Sequence, residues 1–139
     1  MELERYDTDM LVRRKQIFDA YAEAFSVYDW AQVPVYETND RRSSYHAFLL
    51  RIKGITEEQR DLVIREIFHR EVSVNVHFVP LPMMTYYKTA GYSISDYPVA
   101  FDSYSREISL PVYYDLTNEM VKTVIKAVAG AVEKVIFQR

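Results

Sequence analysis

The residues best suited to chemistry lie in the string VSVNVHFVP, where Ser73, Asn75 and His77 occupy alternate positions. In an extended chain alternate side chains point the same way, so a hydroxyl, an amide and an imidazole share one face and can present donors and acceptors to a ligand. A solvated sheet face has the same pattern, and the residues alone leave both readings open. Lys88, in TYYK, is the lysine with aromatic neighbours. An amine that forms a Schiff base must be desolvated enough to lose its proton, and an ordinary surface role is the alternative. Arg41 and Arg42 carry the charge to hold a phosphate, or sit solvated in a loop. His46, His69 and His77 lack the close spacing of a helical metal pair, so no metal site is expected. Gly54, Gly91 and Gly130 are too far apart for a loop that cradles phosphates.

Composition narrows the classes. The chain has 139 residues, 49% of them apolar and 27% charged, which suits one globular domain over residues 1–139 and excludes disordered and collagen-like classes. Seventeen basic residues against twenty acidic ones leave a net charge of -3, without the basic excess that a nucleic-acid partner demands. No cysteine is present, so disulfides, thiolate nucleophiles and iron-sulfur clusters are ruled out. No apolar run is long enough to span a bilayer and MELERYDTDM is not a signal peptide, so a cytoplasmic protein without a membrane partner is expected. Twelve tyrosines, seven of them between Tyr86 and Tyr114, hint at a contact surface, because a tyrosine pairs an apolar body with a polar tip.

Periodicity supplies the elements that must position these side chains. Apolar residues at Met10, Ile17, Tyr21, Ala24, Phe25 and Tyr28 predict a long amphipathic helix from Glu2 to Asp29, with no strong cap before Leu3. A loop follows from Trp30 to Ser44, with a short extended piece around Val33 to Tyr36. Tyr45 to Ile52 predicts a strand. Thr56 and Gln59 form a capping box for a helix over Glu57 to His69, whose buried edge is expected at Leu62, Val63, Ile67 and Phe68. Val72 to Val79 alternates cleanly and predicts a half-buried strand. Pro80 and Pro82 end it, a short helix over Met84 to Ala90 stops at Gly91, and Pro98 opens another through Tyr104. Ile108 to Tyr113 reads as an edge strand because of Pro111, and Thr117 caps a last helix striped by Val121, Val124, Ile125, Val128, Val132 and Val135. The fold class is α+β, a small, mainly antiparallel sheet of about three strands with helices on it.

The strings ERYDTDMLVRRKQIFDAYAEAF, SSYHAFLLRIKGITEEQRD, VSVNVHFVPLPMM and SREISLPVYYDLT resemble the C-terminal part of the DegT/DnrJ/EryC1/StrS aminotransferases. The specific elements are His77, Phe78, Pro80 and Leu81; Ser109, Leu110 and Pro111; and Arg13 with Arg14. The resemblance implies the small domain of a pyridoxal phosphate (PLP) enzyme that transfers an amino group from glutamate to a nucleotide-linked keto sugar, as in polysaccharide biosynthesis. It also implies that the large domain, with the cofactor lysine, is missing here. The expectation is that this chain alone binds no cofactor and does not turn over, and that Glu2 to Asp9 match the helix joining the two domains. Substrate-facing candidates are His77, Asn75, Ser73, Phe78 and Pro82. Many relatives have a second histidine where Pro82 stands, which implies a subgroup with its own substrate. The family's homodimers imply self-association of this chain. A free-standing ligand-binding module and a subunit completing a separate PLP domain are the alternatives.

Overall fold

The computed structural model describes residues 6–137. A π-helical turn, Tyr6–Met10, leads into α1, Leu11–Ser26, which buries Ile17, Phe18, Tyr21 and Phe25 along one side. No side chain caps its start; the expectation for Glu2 to Arg5 lies outside the described residues. The helix ends three residues before the predicted Asp29. Tyr28 and Trp30 stack with ring centroids 5.0 Å apart, and Trp30 lies 6.1 Å from Phe25, so aromatic packing turns the chain out of the helix.

Three antiparallel strands follow in the order β1-β2-β3: β1, Ala31–Gln32; β2, Phe48–Ile52; and β3, Glu107–Leu110. β1 precedes the extended piece expected at Val33 to Tyr36, and β2 starts three residues after Tyr45, whose φ of 53° is incompatible with a strand. The register pairs Phe48 with Leu110, Leu49 with Ser109, Leu50 with Ile108 and Arg51 with Glu107. Cross-strand partners share a face, so Phe48, Leu50, Ile108 and Leu110 line the buried core while Leu49, Arg51, Glu107 and Ser109 lie on the opposite face. Phe48 anchors α1 to the sheet, its ring 5.1 Å from Phe18 and 5.3 Å from Tyr21.

Helix α2, Glu57–Phe68, starts at the predicted capping box: Thr56 Oγ1 accepts from Gln59 N, and Gln59 Oε1 accepts from Thr56 N. Its buried edge differs from expectation. Val63 and Ile67 are inside as predicted, but Leu62 and Phe68 are 46% and 50% exposed, and the third inward position belongs to Arg60. The inward positions are 60, 63 and 67, one helical stripe, and 62 and 68 fall off it. The last helix, α5, Asn118–Val132, is capped by Thr117 and buries Val121, Val124, Val128 and Val132, with Ile125 and Val135 partly buried against the same core.

The predicted strand over Val72 to Val79 is a single bridge. Val72 and Val74 are buried, and Asn75 and Ser109 exchange both backbone hydrogen bonds, Ser109 N to Asn75 O at 2.7 Å and Asn75 N to Ser109 O at 3.2 Å. Before Asn75 the segment runs past the end of β3 at Leu110, and after it positions 76 and 77 face Ile108 and Glu107 without a backbone hydrogen bond to them, while Phe78 is 76% exposed. The chain continues through a 3-10 turn, Leu81–Met83; α3, Thr85–Thr89; a second 3-10 turn, Ile94–Asp96; and α4, Pro98–Ser105. Gly91, at φ 91°, follows α3 in the left-handed conformation that glycine accepts without strain. This arm returns directly into β3, which starts one residue before the predicted strand and ends before Pro111.

Candidate functional site

Chemistry-bearing side chains gather on the face of the sheet opposite the core. Arg51 on β2 stands across from Glu107 on β3, and Leu49 across from Ser109. Glu107 and Ser109 are 5% and 4% exposed although they point away from the core, so the chain around residues 75–77 and its surroundings cover them. The Asn75–Ser109 bridge, continued by the two-residue step of an antiparallel pair, brings His77 opposite Glu107.

Burial pushes the Glu107 carboxyl above the usual carboxylate range. Arg51, the backbone amide of His77 and Arg60 each favour its charged form and oppose the shift. Arg60, 2% exposed, reaches this region from α2: its guanidinium donates to the carbonyl oxygens of Tyr104 at 2.9 Å and Glu107 at 3.2 Å, pairs with Asp61 at 2.7 Å, and lies 5.0 Å from the centre of the Tyr104 ring. Arg51 Nε, His77 Nδ1, Glu107 Oε1 and Ser109 Oγ are buried without a hydrogen-bond partner. Unsatisfied buried polar atoms are scarce in folded proteins, and four at neighbouring register positions make this face the candidate site.

The predicted site residues divide. His77 is half-buried, with Nδ1 turned inward, and its ring packs edge-on against exposed Phe78 at 4.7 Å. Asn75 is exposed, and its Oδ1 accepts from Val76 N at 2.8 Å. Ser73 is exposed and belongs to another place, a cavity of about 310 Å³ that also involves Pro111, Leu116 and Val124. Pro82 is half-buried in the turn after the bridge. Thus His77 and Asn75 lie on one short stretch beside β3, and Ser73 does not share their surroundings. Glu107, Arg51 and Arg60 were missed by the sequence reading. The alternation in Glu107-Ile108-Ser109-Leu110 was the available signal, since it sets Glu107 and Ser109 on the face away from the core.

Arg41 and Arg42 border an open cavity of about 610 Å³ in the loop before β2. Among the described residues no group of three His, Asp or Glu side chains is placed to hold a metal ion, and no helix is long and apolar enough to cross a membrane.

A family model described as the DegT/DnrJ/EryC1/StrS aminotransferase family matches residues 1–129. The chain belongs to that family. It is 31% identical over 137 residues to the spore coat polysaccharide biosynthesis protein SpsC of Bacillus subtilis (strain 168), covering 95% of this chain and 34% of the relative. Among solved structures, Spr1654 from Streptococcus pneumoniae, named as a sugar aminotransferase, superposes in its apo form with a TM-score of 0.93 at 34% identity, over 98% of this chain and 34% of that one. Its PLP form superposes with a TM-score of 0.91. The aminotransferase TlmJ from Streptoalloteichus hindustanus gives 0.83 at 25% identity. The chain therefore spans about a third of the length of the relatives it matches. The family is PLP-dependent, and the α+β fold with its small antiparallel sheet is that of these aminotransferases over the matched third.

The lysines of this chain do not fit PLP. Lys53, Lys88, Lys122, Lys126 and Lys134 are exposed. Lys15 contacts Asp19 at 2.9 Å and Glu37 at 3.3 Å, and its hydrogen bond to Asp19 raises its pKa above the ordinary lysine value. A cofactor lysine needs the opposite, an amine that surrenders its proton readily. Lys88, the candidate with aromatic neighbours, stands on exposed α3 and is not desolvated.

Proposed function

We propose that this chain is the C-terminal small domain of a PLP-dependent sugar aminotransferase, and that it shapes one wall of the substrate cleft without carrying out amino transfer by itself. The observation that carries this reading is the family match over residues 1–129 in a chain that spans a third of its relatives, none of whose lysines suits the cofactor. In full-length enzymes of this kind the cofactor supplies the electron sink, and the protein supplies binding and orientation. His77 and Asn75 are the substrate-facing groups of this wall, with Phe78 and Pro82 shaping its rim. His77 presents its outer nitrogen, Nε2, while Nδ1 is turned inward. Ser73, in a different cavity, is the weakest of the five candidates. The substrate is a nucleotide-linked keto sugar and the setting is cytoplasmic polysaccharide synthesis.

Incubation with PLP, glutamate and a nucleotide-linked keto sugar tests the catalytic half of this reading. No amino sugar is expected, and borohydride reduction followed by mass spectrometry should find no lysine stoichiometrically labelled by the cofactor. Steady amino-sugar formation or a single fully labelled lysine would overturn it.

The arm supports the same reading from the side of partners. Phe78, Leu81, Tyr86 and Val99 are all more than half exposed. An apolar surface of this kind on one stretch of chain marks an interaction site. In the complete enzyme it docks on the large domain, and in this chain alone it drives association between copies. Light scattering over a dilution series should show mass falling with concentration; a strictly monomeric species throughout would count against it. The alternative of a free-standing module predicts a thermal shift on adding a nucleotide sugar without any large domain.

A further inference from the structure

We propose that the turn carrying Arg41 and Arg42 is a diphosphate-binding site, with the trough beside it directing a glycosyl group on that diphosphate toward the candidate site. Its functional meaning rests on the reading of this chain as one wall of a nucleotide-sugar cleft. Backbone pairing builds the turn: Ser43 N donates to Tyr36 O and Thr38 N to Arg41 O, both at 2.9 Å, around a bridge between Glu37 and Arg42. Side chains then fasten it to α1. Tyr36 Oη donates to Asp19 Oδ1 at 2.9 Å, Tyr45 Oη donates to Glu37 Oε1 at 2.7 Å, and Lys15 pairs with Glu37 at 3.3 Å. The rings of Tyr36 and Tyr45 pack edge-on against Phe18, at 5.4 and 5.3 Å.

This framework takes up the acids of the turn and leaves its cations free. Glu37 serves Tyr45 and Lys15, and Asp40 accepts from the Thr38 hydroxyl at 2.6 Å. Among the described residues no ion pair reaches Arg41 or Arg42, and both are exposed. Two uncommitted guanidinium groups at neighbouring positions match two linked phosphates, because each planar fork can give two parallel hydrogen bonds to one of them. The turn is anchored before any ligand arrives, so the ordering cost falls on the two side chains alone. Both arginines border the cavity of about 610 Å³, and also a second of about 430 Å³ lined by Pro34, Val35 and Leu49. Those three residues line a third as well, of about 280 Å³, which Arg51 borders. Leu49 and Arg51 lie on the sheet face away from the core, beside Ser109 and Glu107. The trough therefore leads from the arginine pair, over apolar side chains, to the face that carries the candidate site.

Nitrogen-15 NMR titration of this chain with inorganic pyrophosphate tests the site. The amides of residues 38–43 should shift most, and the double variant Arg41→Gln with Arg42→Gln should bind about tenfold more weakly or worse, the loss expected for hydrogen bonds to charged groups. Both side chains are exposed, so the double variant should melt at the temperature of the unmodified chain. Pyrophosphate affinity that survives the double substitution, or sulfate bound as tightly as pyrophosphate, overturns the site. A uridine diphosphate hexose should bind more tightly than pyrophosphate, with shifts that extend to Leu49 and Arg51. Equal affinity, with shifts confined to the turn, would instead overturn the cleft reading and leave the diphosphate site standing.

Discussion

Replacing Arg60 by methionine tests how the site is tied to the core. The stem of the arginine is conserved in volume, but the guanidinium is lost from a position only 2% exposed. Two backbone carbonyls, Tyr104 O and Glu107 O, lose donors now at 2.9 and 3.2 Å. A buried acceptor left unsatisfied costs about 1–3 kcal/mol. Tyr104 O keeps the Arg106 backbone amide as donor, so Glu107 O alone is left bare, and the loss is about 1–3 kcal/mol. The Tyr104 ring also loses its cation at 5.0 Å, and the Glu107 carboxyl loses one of the charges that favour its ionised form, so its pKa should rise further. With a urea m-value of about 2 kcal/mol per molar, the unfolding midpoint should drop by about 0.5–1.5 M with m unchanged. A drop below about 0.5 M would show that Arg60 is not holding β3, and would remove the rigid base on which the site is argued to stand.

Three further outcomes follow from the same packing. Phe48→Ala empties the point where α1 meets the sheet and should cost about 3–5 kcal/mol, read as a lowered melting temperature. Thr56→Ala removes the acceptor for Gln59 N and should cost about 1 kcal/mol by chemical denaturation. The raised Glu107 carboxyl sets a pH dependence: protonation is favoured in the folded chain, so its contribution is fully present below the ordinary carboxyl range and is lost as pH rises through the raised value. Glu107→Gln should remove that component, so thermal melts of variant and unmodified chain should differ most at neutral pH, with the variant no less stable; equal pH slopes in the two would refute it.

The helices were legible because their signals are local. The Thr56–Gln59 box and the Thr117 cap need only neighbouring residues, and both are found where expected. The half-buried strand over Val72 to Val79 was not, because alternation states what a strand would bury and says nothing about whether a partner strand is long enough to pair with it. β3 ends at Leu110, so Val72 to Val74 run past it with no strand beside them, and pairing is confined to Asn75. Arg60 was hidden for a related reason. A charged residue inside an apolar stripe reads as exposed, and its acceptors, two backbone carbonyls more than forty positions away, carry no mark in the sequence. Of the candidate site, the His77 stretch was visible as donors on one face, whereas the carboxyl beneath it emerged only from the register.

The arm that departs after His77 comes back to the sheet at Glu107, directly opposite its point of departure. A segment whose two ends are already clamped side by side adds little closure entropy when it is lengthened, since that cost grows only logarithmically with length. Insertions, deletions and wholesale exchange of its surface can therefore accumulate between those clamps while the helices and strands underneath keep their geometry. Relatives that share this scaffold are free to differ most in the very stretch that meets other molecules.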